Sequence, residues 1–283
     1  TALEGGKVMS SRLALSALCL LVVAVAAAPL GATTIRTNSG FTTNSLSRND
    51  DGSTGLVNMG LNANFFGTTY TQLYVNNNGN VTFDAAMSTY TPFDLTSTGR
   101  VIIAPFFADV DTRATGSDVV TYGTDTVGGR SAFGVNWDGV NGVGYYSYGV
   151  DKLNKFQLVI IDRADVGAGD FDFEFNYDQI EWETGDASGG SGGLGGNSAR
   201  AGYSNGVDTS YEIDGSAVNG AFLDTNGTTG LIYTSNVNTP GRWVFQVRNG
   251  VVEPVVIPEP LTMAGLGLGI SAMGLYVRKR RQA

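Results

Sequence analysis

The hydrophobic and polar positions divide the chain into two apolar ends and a long middle of alternating character. In the middle, residues 72–75, 81–83, 101–104, 156–161, 171–177 and 243–247 alternate or run apolar over short lengths, and no long stretch repeats at helical spacing. The clearest segment is 171–177. Side chains alternate across a pleated strand, so Phe171, Phe173, Phe175 and Tyr177 share one face and Asp172, Glu174 and Asn176 the other. The expectation is one buried face and one wet face. Asn-Gly and Asp-Gly pairs at 78–79, 141–142, 205–206, 214–215, 219–220 and 226–227 supply positive-φ turns between such runs. Many short strands with turns between them predict an all-β fold, an antiparallel β-sandwich with long loops over residues 33–250. Residues 186–197 hold six glycines and little apolar surface, which predicts a mobile loop. Without a lysine or a strand-to-helix transition, that loop is no phosphate cradle.

The ends predict flanking helices. After Met9, Arg12 precedes an apolar run over 13–30 that exits through Gly31 and Ala32. Charge, apolar core and small-residue exit in that order make residues 1–32 a secretory signal peptide with upstream residues, cleaved after Ala32 or near Ala28; an uncleaved anchor helix is the alternative. At the other end, residues 251–260 read as a linker closing on Pro258, Glu259 and Pro260. Residues 261–277 form an apolar span of 17, the short limit for a helix crossing a bilayer, and Arg278, Lys279, Arg280 and Arg281 follow. The basic cluster stays on the cytoplasmic side, so residues 261–283 read as a transmembrane helix and basic tail with the domain facing outward.

Charge and composition then restrict the chemistry. Between the apolar ends lie 11 basic and 25 acidic residues, a net charge of −14 that repels nucleic acid and favours cations. The one cysteine, Cys19, sits inside the first apolar run, and the chain has no histidine. Thiol or imidazole nucleophilic catalysis, Ser-His-Asp triads and zinc sites built on those ligands are therefore excluded from the mature domain.

Two segments resemble known families. The order Pro258-Glu259-Pro260, glycine-rich apolar span and basic terminus resembles the PEP-CTERM sorting signal of bacteria that make exopolysaccharide. That resemblance implies a membrane-embedded, exosortase-type protease as partner, insertion in the inner membrane through residues 261–277, and a destination in the cell envelope or extracellular matrix. Residues 101–111 (VIIAPFFADVD), 154–161, 171–185 and 199–206 resemble, in order, the central motifs of the nidogen-like (NIDO) extracellular domain, with 101–206 the best-matching part. Phe107 stands where many members carry Trp. The resemblance implies an extracellular module found beside adhesion and matrix domains, with no enzymatic activity attributed to it.

Four groups of residues are candidates for a site. Asp109 and Asp111 flank Val110 and so project from one face of a strand end. Two like charges there need a cation, a donor such as Arg113, or water, and calcium held by Asp109, Asp111 and Asp162 or Asp165 is one solution. Strand-end aspartates also serve simply as turn formers. Asp172, Glu174, Glu181 and Glu183 are the carboxylates from which a glycosidase pair would be drawn, although a wet strand face is their ordinary setting. Trp137, Tyr145, Tyr146 and Tyr148 read as core or edge-strand packing, with an aromatic sugar platform as the other option. Asn49-Asp50-Asp51-Gly52-Ser53 reads as a turn without the acidic spacing of an EF-hand loop. Together these features predict an exported structural or adhesion protein of the cell surface or exopolysaccharide matrix, not an enzyme, partnered by extracellular polysaccharide or a surface protein. The alternative is a secreted glycan-binding or glycan-hydrolysing protein, which requires a concave site with two carboxylates about 5 to 9.5 Å apart.

Overall fold

The computed structural model describes residues 34–97 and 99–253. The expected signal peptide (1–32), sorting tripeptide and membrane span lie outside the described residues. Among the described residues, no helix is long and apolar enough to cross a membrane.

Fifteen strands make up the described domain. The first eight are β1 (Asn44–Ser45), β2 (Val57–Phe65), β3 (Thr68–Asn76), β4 (Asn80–Thr82), β5 (Ile102–Phe107), β6 (Val110–Asp111), β7 (Thr121–Val127) and β8 (Arg130–Trp137). They continue with β9 (Val143–Tyr145), β10 (Gly149–Asp162), β11 (Phe171–Gln179), β12 (Arg200–Ser204), β13 (Ser210–Glu212), β14 (Arg242–Arg248) and β15 (Val251–Glu253). One sheet runs β1-β7-β8-β10-β11-β14-β15, with β9 joined to β10 and β6 to β9; the other runs β13-β12-β5-β4-β3-β2. Two antiparallel sheets face each other as a sandwich, as the alternation predicts. Residues 251–253, expected in the linker, instead extend the first sheet by pairing with β14.

The core lies between the sheets because each contributes its apolar face. Leu73, Val75, Val81 and Ile103 meet Phe133, Val135, Phe156, Leu158 and Phe173 there, all at most 1% exposed. Phe173 meets Tyr203 of the opposite sheet edge-on at 5.7 Å and stacks on Phe245, its neighbour within the first sheet, at 4.7 Å. Tyr177 adds a polar tie, its hydroxyl donating to the Pro105 carbonyl of the opposite sheet at 2.6 Å.

The expected wet face of 171–177 is not wet. Asp172 is 9% exposed and Glu174 6%, and over Glu174 the segment before β1 crosses the outside of that sheet. Arg36 straddles the Glu174 carboxylate at 2.7 and 2.8 Å. Its backbone exchanges two bonds with the buried Gln157 side chain, and Phe41 is buried against Ala132, Val159 and Ile161. Gly134 is the seat of the Phe41 ring, which occupies the space a side chain would need. Asp172 is held between Arg163 at 2.7 Å and Arg248 at 2.6 Å. A pairing pattern confined to one strand cannot reveal a cover supplied from 138 positions away.

The glycine-rich loop is likewise folded back and not loose. The N–H groups of Glu183 and Thr184 donate to the Gly193 carbonyl, and Asn197 N–H donates to Ser188. Gly193, at φ 84°, packs against Trp182 and Tyr145 where a side chain would intrude. Main-chain hydrogen bonding orders a segment that apolar burial does not.

Candidate functional site

A buried run of asparagines sets up the most unusual cluster of charge. Asn76, Asn77, Asn78 and Asn80 surround the β3–β4 turn and are at most 1% exposed. Buried amides must find partners, and here they clamp two distant segments. Asn77 Nδ2 donates to the carbonyls of Asp50 at 2.5 Å and Val110 at 2.6 Å. Asn78 accepts from Val110 N–H at 3.0 Å and donates to Asp51 Oδ1 at 2.9 Å. Gly79 closes the turn at φ 72° with its Cα facing the Phe106 carbonyl, leaving no room for a side chain.

The clamp brings Asp50 and Asp51 to Asp109, and one carboxylate oxygen from each of the three lies within 4.8 Å of the others. Asp109 is 1% exposed, and its Oδ2 has no hydrogen-bond partner; Oδ1 of Asp50 is also buried and unpartnered. Gly185 lies directly against the Asp109 carboxylate, in space that any larger residue would fill. Burial, followed by the charges of Asp50, Asp51 and Asp111, pushes the Asp109 carboxyl up to about 7. Burial and the neighbouring Asp111 and Asp51 push Asp50 up to about 6.

Asp111, next but one to Asp109, has a different environment. Arg113 grips it through Nε and Nη2 at 2.9 and 2.7 Å, and Tyr148 N–H donates to it at 3.0 Å. Burial alone would raise this carboxyl, but these bonds outweigh burial and hold it below the usual range. The same guanidinium approaches Asp50 at 3.2 Å and lies over the rings of Tyr148 and Tyr146 at 4.5 and 5.5 Å. Of the sequence options for the Asp109/Asp111 pair, the arginine donor serves Asp111 alone.

Asp162 and Asp165 do not join this cluster. They lie at the far end of the 14-residue β10, whose beginning pairs with β9 beside β6. Asp162 caps Ala164 N–H, and Asp165 bridges Arg130 and Arg163 at the surface. Sequence reasoning passed over Asp50 and Asp51 as part of a turn. The turn exists, with Gly52 N–H bonded to Asn49 Oδ1 at 2.6 Å, and the only local signal of a further role was two consecutive acids before a glycine.

The carboxylates considered for glycosidase chemistry are all engaged. Asp172 and Glu174 are held by arginines; Glu183 accepts from Gly220 and Phe222 N–H, and Glu181 from Leu153 N–H. Of two surface depressions, one has Asp125 as its single acid and the other has Glu253. Neither holds a carboxylate pair. Trp137 is fully buried and stacked on Phe156 at 5.1 Å, and Tyr145 is 5% exposed, so these two belong to the core, while Tyr146 and Tyr148 serve the Arg113 stack.

Among the described residues the sandwich thus carries one desolvated acidic cluster, beside a first sheet whose outer face is partly covered. The comparisons place it more narrowly: residues 71–249 match the nidogen-like domain, and the chain belongs to that family. It is 36% identical to alpha-tectorin of Mus musculus over 230 residues, which is 72% of this chain. It is 33% identical to alpha-tectorin of Gallus gallus over 229 residues, again 72% of this chain. Nidogen of Drosophila melanogaster is 27% identical over 208 residues, 65% of this chain. The chain spans only 10% of the length of the alpha-tectorins and 14% of that nidogen. No solved structure matches the chain significantly.

Proposed function

We propose that this chain is an exported structural or adhesion protein of the cell surface or exopolysaccharide matrix, sorted and anchored through its C-terminal tail. Membership of the nidogen-like family is the observation that carries the reading. Domains of this family are implied to be extracellular modules that stand beside adhesion and matrix domains. The engaged carboxylates support a non-enzymatic role, because each is already bonded to main-chain donors or arginines. In the tail, Pro258, Glu259 and Pro260 present the sorting tripeptide to an exosortase-type protease, residues 261–277 hold the chain in the inner membrane, and Arg278, Lys279, Arg280 and Arg281 fix its orientation. The binding partner is an extracellular polysaccharide or a surface protein.

Fractionation of the producing bacterium tests the sorting half, comparing the full chain with one lacking residues 258–283. Loss of the trimmed chain from envelope and matrix is the expected result; equal retention of both removes the tail from the account. Capture from the same bacterium's matrix by the immobilised full chain tests the binding half. Recovery of neither polysaccharide nor a surface protein counts against adhesion.

A further inference from the structure

We propose that Asp50, Asp51 and Asp109 bind one calcium ion, at a site assembled by the buried asparagine turn. Three features carry the assignment. One oxygen from each carboxylate lies within 4.8 Å of the other two, a spacing compatible with a shared calcium ion, whose oxygens on opposite sides stand about 4.6 to 5.2 Å apart. Asp109 is 1% exposed and its Oδ2 lacks a partner, so a buried carboxylate oxygen is left without the donor or cation that such groups require. Among the described residues, the cation that pairs with this group is Arg113, and it is already shared between Asp111 and Asp50, leaving Asp51 and Asp109 without an ion-pair partner. A divalent ion offsets like charges held this closely in a desolvated place.

The donor set selects the metal. Carboxylate oxygens favour hard cations, and no histidine or mature-domain cysteine offers zinc or copper a softer ligand. The surrounding structure holds the ligands in place. Asn77 fixes the Asp50 main chain, Asn78 fixes the Asp51 side chain and the N–H of Val110, and Gly185 leaves room for the Asp109 carboxylate. Asp162 and Asp165, at the far end of β10, take no part.

The test is a thermal melt and a calorimetric titration of the full chain after stripping with chelator. With about 10 mM calcium, a site of the affinity usual for extracellular modules raises the melting temperature by roughly 5–10 °C. Asp109→Asn and Asp51→Asn each abolish the rise, and Asp165→Asn retains it. Asp51 is only half-buried, so Asp51→Asn decides the matter if Asp109→Asn does not fold. Absence of both heat and melting shift at millimolar calcium in the unmodified chain overturns the proposal, as does a shift that persists in Asp51→Asn. An equal rise with magnesium overturns the choice of calcium.

Discussion

Replacing Asn77 with alanine probes the joint on which the acidic cluster depends. The amide of Asn77 makes two short bonds, at 2.5 Å to the Asp50 carbonyl and 2.6 Å to the Val110 carbonyl, at a position 1% exposed. Each such bond contributes about 1 kcal/mol net, and leaving buried carbonyls short of a donor adds about 1 kcal/mol or more, so the expected loss is about 3 kcal/mol. For a domain of this size that corresponds to a fall in melting temperature of roughly 6–12 °C. The main-chain carbonyl of Asn77, which accepts from Trp137 Nε1 at 2.9 Å, is untouched by the substitution. The fold should therefore survive, with a native-like Trp environment by near-ultraviolet circular dichroism and an unchanged dependence on urea concentration. Chemical and thermal denaturation of the two chains side by side measure the difference. A melting temperature within about 1 °C of the parent would falsify the claim that the asparagine turn carries the joint between the loop before β2 and strand β6.

Stability should depend on pH with an unusual sign. Asp109 (about 7), Asp50 (about 6) and Asp224 (about 6), each raised first by burial, hold their protons in the folded state above the pH at which the unfolded chain releases them. In chelator, the melting temperature should therefore fall as pH rises from about 4 to about 7, and Asp109→Asn should flatten the fall; a steady rise across that window counts against the burial of these groups. Tyr177→Phe removes the hydroxyl bonded to Pro105 across the sandwich and should cost about 1–3 kcal/mol in urea denaturation; no measurable loss would mean that this tie between the sheets carries nothing. Gly79→Ala should yield insoluble chain, because the new methyl group meets the Phe106 carbonyl at a positive φ; soluble expression with a native melt is the contrary outcome.

The strands legible in the sequence were those whose large apolar residues face the opposite sheet: β3, β4, β5, β10, β11 and β14. Strands β7 and β8 were not, because Gly123 and Gly134 interrupt their pattern, and both glycines are needed so that Gly40 and Phe41 can lie against the outer face. Asp172 and Glu174 read as wet for the same reason, because the arginines that hold them come from elsewhere in the chain, Arg36 for Glu174 and Arg163 and Arg248 for Asp172. At the acidic cluster, Asp109 stood out because it sits in a strand-end motif. Its true companions did not, since a fold built of long-range pairings brings residue 50 to residue 109 through an asparagine turn whose burial no local rule announces. Asp162 and Asp165 followed from strand-end reasoning alone, and strand ends at opposite ends of the long β10 are indistinguishable until the register is known.

The cover over β10 and β11 makes completion of the domain a late event. Thr34 accepts a hydrogen bond from Arg242, 208 positions away, and its own hydroxyl donates to the Tyr177 carbonyl. The earliest described residues thus have no resting place until nearly the whole domain has been delivered, and a chain arrested partway holds Phe41 without its seat. Trimming to the family-matched 71–249 strips Arg36, the roof over Glu174 and Gln157, from the sheet, so residues ahead of the matched stretch are structural parts of the fold.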